Sequence, residues 1–136
     1  MRIPVAGLAL STVLLAGLPA TSSAASGGFT SPSGNIGCYI TGQGVRCDIR
    51  DHDWPTPARP ASCELDYGSG LSVNRTGRGH FVCAGDTTLQ AGPPLAYGSK
   101  RSAGRFTCTS RTSGMRCINR RNGHGFALSR ESHRRF

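Results

Sequence analysis

Helical periodicity is missing from this sequence. No stretch longer than about ten residues shows a clean 3.6-residue apolar repeat, which excludes a helical bundle. Aromatic residues make up only 7% of the chain and glycine contributes 19 residues, so any core is thin and calls for covalent support. A single lysine, Lys100, is present, and no Ser-x-x-Lys reaches it, so a Ser–Lys dyad is not built. The G-x-S-x-G nucleophile turn is absent. Closely spaced cysteine pairs of zinc type are absent too, since the close pairs have eight residues between them. A glycosidase pair would have to use Glu64 or Asp66, two positions apart on a loop or strand start. These absences lead to the expectation of no catalytic residue, no catalytic metal and no cofactor.

The chain begins with Met1-Arg2, an apolar run from Ile3 to Leu18, and a small polar stretch from Pro19 to Ala25. The run is too short and wrongly flanked for a membrane span, and Ser22-x-Ala24 and Ser23-x-Ala25 are cleavage candidates. Residues 1–25 are therefore expected to be a secretory signal peptide, and 26–136 a single exported domain. No later apolar run has spanning length, and no cysteine near residues 16–26 suggests a lipid anchor.

All 6 cysteines lie in the expected domain, an even count that argues for disulfides in an exported chain. The chain is organised around a repeat. Gly34, Ile36, Cys38, Val45, Arg46 and Cys47 recur at the same spacing as Gly104, Phe106, Cys108, Met115, Arg116 and Cys117. With Cys38 opposite Cys47, Ile36 meets Ile49 and Ile40 meets Val45 on one apolar face, while Tyr39 meets Arg46 and Gly37 meets Asp48 on the other. Each copy thus reads as a hairpin closed by its own disulfide. In this register Gly42-Gln43 is the two-residue loop, and Gly-X suits a type II′ turn. The second copy, centred on Thr112-Ser113 with Gly114 as a left-handed residue, predicts a wider, bulged turn. The repeat pairs Cys38 with Cys47 and Cys108 with Cys117, which leaves Cys63 with Cys83.

Charge is distributed unevenly. Residues 26–96 hold five arginines against six acids, whereas 97–136 hold Lys100 and nine arginines against Glu131 alone. A cationic half attracts polyanions. The expected contributors are Lys100, Arg101, Arg105, Arg116, Arg120, Arg121, Arg130, Arg134 and Arg135, with Arg116 and Arg120 on one strand face. The competing reading is a solvated surface enriched in arginine by composition. Few aromatics are interleaved there, so sequence-specific nucleic-acid reading is not expected.

Three prolines within Pro55–Pro60 exclude helix and central strand, giving an extended loop with the sole tryptophan, Trp54, packed on the core. Asp51, His52 and Asp53 offer an acid/base or metal cluster; a solvated linker is the preferred reading. Leu71–Asn74 and His80–Cys83 predict an antiparallel pair, Ala84–Thr87 a turn in which Asp86 bonds nearby amides, and 95–98 and 125–129 further strands. Arg130 to Phe136 is read as a charged terminal segment. His80 and His124, each after a glycine, are the best candidates for acid/base cleavage of RNA. The fold class is all-β, a disulfide-stapled barrel or sandwich of seven to eight short strands.

The opening Phe29-Thr30-Ser31-Pro32-Ser33-Gly34-Asn35-Ile36-Gly37-Cys38 resembles the signature of an uncharacterised family of small secreted cysteine-rich actinobacterial proteins. So do Val45-Arg46-Cys47, Trp54 with its prolines, Cys83-Ala84-Gly85-Asp86-Thr87, Tyr97-Gly98 and Gly123–Arg130. The resemblance covers nearly the whole expected domain. It implies export and one compact domain, brings no catalytic or binding residues, and implies that an aromatic often stands at the position of His133. Three functions follow as expectations. The first is a secreted or envelope binding module for an anionic envelope polymer or an acidic protein. The second is an inhibitor or modulator of an extracellular hydrolase that presents the loop 51–60. The third is a small basic ribonuclease.

Overall fold

The computed structural model describes residues 4, 7, 11–17 and 26–136; the expected leader falls largely outside these residues, and its cleavage sites entirely so. Ten strands form: β1 (Gly27–Thr30), β2 (Ile36–Ile40), β3 (Gly44–Ile49), β4 (Tyr67–Asn74), β5 (His80–Cys83), β6 (Lys100–Ala103), β7 (Phe106–Arg111), β8 (Gly114–Asn119), β9 (Gly125–Leu128) and β10 (His133–Arg135). They make two antiparallel five-stranded sheets, ordered β1-β2-β3-β4-β5 and β10-β9-β8-β7-β6. The sheets pack face to face as a sandwich and do not close into a barrel, and no helix occurs among the described residues.

The β2–β3 register has Ile36 opposite Ile49, Cys38 opposite Cys47, Tyr39 opposite Arg46 and Ile40 opposite Val45, as the alternation of apolar and polar residues requires. The turn differs from expectation. Gly42 does not take a positive φ, so the turn is not type II′. Instead Thr41 Oγ1 accepts the Gln43 N–H at 3.0 Å and Thr41 N–H donates to the Gly44 carbonyl at 2.9 Å. The expected bulge in the second hairpin is absent: the β7–β8 ladder runs unbroken to Arg111 opposite Gly114. Gly114 sits at φ 127°, and a Cβ there would lie 2.3 Å from the Leu128 carbonyl oxygen, so only glycine fits.

The repeat is larger than two hairpins, because each sheet is a complete five-strand meander. In the first, the inward row Phe29, Cys38, Cys47, Leu71, Phe81 crosses all five strands. In the second, the matching row is Arg101, Cys108, Cys117, Phe126, Arg135. The strands at 27–30, 100–103 and 133–135 escape the alternation rule because each is three or four residues long and rich in Gly, Ser or Arg. Residues 95–98 form no strand; the neighbouring Pro94 makes only an isolated bridge to Thr30.

The core lies between these rows. Phe29, Ile40, Leu71, Phe106, Met115, Phe126 and Leu128 are fully buried. At the centre the two hairpin disulfides touch, with Cys47 Sγ 3.7 Å from Cys117 Sγ. The bridges are Cys38–Cys47, Cys63–Cys83 and Cys108–Cys117, with no free cysteine among the described residues. Cα separations of 4.1 and 4.0 Å mark the two hairpin bridges as non-hydrogen-bonded cross-strand pairs. Acid-quenched, non-reducing peptide mapping is expected to yield these three pairs alone. A Cys47–Cys117 peptide in native material would contradict the hairpin assignment.

Two loops are pinned from outside. Trp54 is buried, and its Nε1–H donates to the Ser129 carbonyl at 3.0 Å, which fastens the proline-rich loop to the second sheet. The segment after β5 crosses the outer face of the first sheet. The main partner of the Asp86 carboxylate is Arg46 Nη1 at 2.8 Å, with its own backbone amide a lesser one. The buried Asp48 accepts Arg46 Nε and Nη2 and the Thr88 N–H, and Thr88 Oγ1 donates to the Gly37 carbonyl. Burial works against the charge of Arg46, but the Asp48 and Asp86 carboxylates outweigh it and raise the guanidinium pKa. The same contact holds the Asp86 carboxyl below its ordinary value.

Candidate anion-binding site

Strands β6–β10 contain no aspartate or glutamate. Their outward row, read across the register, is Lys100, Thr109, Arg116, Ala127 and Arg134. Phe136, paired to Gly125 by backbone hydrogen bonds, sits beside this row. The guanidinium carbons of Arg116 and Arg134 lie 5.0 and 5.5 Å from its ring centroid. Stacking on a ring fixes a guanidinium plane and leaves its edge N–H groups available. The face is therefore cationic, with two of its guanidiniums held in place by a ring.

The other expected contributors go elsewhere. Arg101 lies opposite the buried Cys108, on the inner row, with Nη2 against Gly27 of β1. Arg120 does lie towards the outer face, but its guanidinium is engaged in the fold, donating to the Phe106 and Gly104 carbonyls and to Thr107 Oγ1. Arg130 faces Asp53 at 3.7 Å. Arg105 and Arg121 gather at one end of the sandwich with Arg75. Partial burial, together with the charges of Arg75 and Arg121, lowers the Arg105 pKa. The buried Asn119 builds this end: its Nδ2 donates to the Asn74 and Arg75 carbonyls, and its Oδ1 accepts the Arg121 N–H.

At the β5–β10 edge, Arg78, His80, His133, Arg134 and Arg135 line a recess of about 500 Å³. Gly79 makes this possible. Its N–H donates to the Phe136 carbonyl at 3.1 Å, and a Cβ on it would lie 2.2 Å from the Gly125 carbonyl oxygen. Arg135 stacks over Phe81 at 4.8 Å, and its carbonyl accepts Arg78 Nη2 at 3.2 Å. The His133 ring packs edge-on against Trp54 and Phe81, with centroids at 4.6 and 5.1 Å. Its Nδ1 is buried and without a partner among the described residues. Burial, then the charges of Arg135 and His52, lower its pKa. These effects favour the neutral form of the ring.

The expected histidine pair is rearranged. His124 occupies the β8–β9 turn, where its N–H binds Asn122 Oδ1, and His133 is the histidine that shares the recess with His80. Asp51, His52 and Asp53 are directed to separate partners: Asp51 N–H to Asn35, His52 Nδ1 to the Trp54 carbonyl at 2.7 Å, and Asp53 to Arg130. His52 also stacks on Trp54 with centroids 3.5 Å apart. Arg75, Arg78 and His133 were not among the residues expected at an anion site. The hint for Arg78 is that it precedes Gly79, and His80 stands out in the sequence only as a candidate for acid/base chemistry. Nothing local tells that β5 lies beside β10.

A model described as a family of unknown function (DUF6636) matches residues 9–136. No curated protein and no solved structure matches the chain.

Proposed function

This chain belongs to the family of unknown function DUF6636, and with no activity to take from that family we propose that it is a non-enzymatic binding module for an anionic polymer. Its three disulfides are typical of extracellular proteins. The apolar run at Ile3–Leu18 supports export and removal of residues 1–25. The observation that carries the reading is the acid-free row Lys100, Arg116, Arg134 on the outer face of the second sheet. Two of its guanidiniums are ordered on Phe136 and keep donors for phosphate, sulfate or carboxylate. A row of cations whose one aromatic, Phe136, is already covered by arginines suits a repeating polyanion, not a sequence-specific nucleic acid.

The test is salt elution from a phosphate-polymer column. Exposed charges are screened over about 8 Å at physiological salt, so retention falls steeply with ionic strength. A Lys100→Ser/Arg116→Ser variant is expected to elute at clearly lower salt than wild type. An Arg50→Ser/Arg59→Ser variant, which loses the same charge from exposed sites outside β6–β10, stays close to wild type. Equal elution of the two variants would reduce the face to a solvated surface. RNA cleavage that is lost on His80→Ala, with circular dichroism unchanged, would overturn the non-enzymatic reading.

A further inference from the structure

We infer that the recess at the β5–β10 edge is a subsite for a phosphate group, the place where the module grips one phosphate of its polymer; this rests on the anionic-polymer reading above. Five nitrogen-bearing side chains from two strands and a turn line the recess, and none of the lining residues is acidic. Among the described residues no carboxylate pairs with Arg78, Arg134 or Arg135. Two of the three guanidiniums are oriented by rings, Arg134 by Phe136 and Arg135 by Phe81. The third, on Arg78, is steered by the Arg135 carbonyl. Each bond to a ring or carbonyl leaves most of the five N–H donors of a guanidinium unused.

The lining guanidiniums come from two neighbouring positions of β10 and from the turn before β5. A planar carboxylate satisfies one fork, whereas a tetrahedral phosphate presents oxygens to several forks at once. His80 is exposed at the rim, within 3.4 Å of the Arg78 carbonyl. The buried Nδ1 of His133 has no partner among the described residues. The other groups around it are the rings of Trp54 and Phe81 and the charged or titratable Arg135 and His52. The recess is continuous with the cationic face through Arg134, which belongs to both.

The test follows histidine-ring resonances of the full domain at pH 7 during titration with inorganic phosphate. Sodium acetate and sodium chloride at matched ionic strength are the comparison arms. His80 and His133 are expected to shift saturably with phosphate, with His124 unmoved and acetate at least tenfold weaker. Arg78→Gln is expected to weaken phosphate at least tenfold, while the ring-current-shifted His133 signals confirm an intact fold. Lys100→Ser/Arg116→Ser leaves the titration as in wild type. Shifts matched by chloride or acetate, or an unchanged affinity in Arg78→Gln, would overturn the subsite. Column retention that still depends on Lys100 and Arg116 in that event would leave the polymer reading standing. Saturable phosphate binding without such retention would do the reverse.

Discussion

Replacing Trp54 by alanine is expected to lower the stability of the domain by about 3–5 kcal/mol, a fall of roughly 10–20 °C in Tm for a domain of this size. Three losses add together. The buried indole leaves a void against Phe81, whose ring lies 6.4 Å away, and His133 loses one of its two aromatic supports. The Ser129 carbonyl loses its Nε1–H donor. The stretch 51–62, which makes no strand pairing, loses its deepest anchor. Trp54→Phe separates the contributions: it keeps much of the packing and deletes the hydrogen bond, with an expected loss of about 1–2 kcal/mol. Calorimetry on the two variants checks the order. A Trp54→Ala domain that melts with wild type would show that the loop is only draped over the core.

Asp48→Ala is the second large effect, with an expected loss of about 2–4 kcal/mol. Breaking a buried ion pair typically costs about 3–5 kcal/mol, and Arg46, whose side chain keeps 21% exposure, softens that figure. The carboxylate accepts two bonds from Arg46 and one from the Thr88 N–H. Its removal unfastens the segment after β5 from the first sheet. Hydrogen exchange is expected to quicken at Thr88 and its neighbours more than at β7 or β8. Asp86→Ala serves as the contrast: its side chain is 81% exposed and shares the same arginine, so Tm should move far less. Equal effects from Asp48 and Asp86 would mean that the guanidinium alone, not the buried carboxylate, holds the segment.

Both effects depend on contacts that no local pattern announces. The Arg46–Asp86 pair spans 40 residues and the Trp54–Ser129 bond spans 75. By contrast, Arg46 and Asp48 are two apart on one strand face, so period-two alternation alone puts them together. The sequence reading therefore sees half of each fastening. Asp86 illustrates the gap this leaves. A short acid in a turn is expected to serve local amides, and only the packing of that turn over β3 supplies the stronger, charged partner.

Cys63–Cys83 is reached only by elimination, whereas the all-β class, the hairpin register from Ile36 to Ile49 and the two hairpin disulfides are legible in the sequence. These follow from alternation of period two and from the short reach of a disulfide, which are properties of neighbouring residues. It also showed that one half of the chain is cationic. Which of these cations lie side by side is set by the tertiary structure. Arg101 lies opposite a buried cysteine, Arg120 is hydrogen-bonded to backbone carbonyls, and Lys100, Arg116 and Arg134 share a face. Likewise, the meeting of Arg78 and His80 with β10 depends on how two separate five-strand meanders stack. Stacking is set by the summed burial of Phe29, Leu71, Phe106, Phe126 and their neighbours. That term has no direction along the chain, so spacing in the sequence carries no record of which edges it brings together.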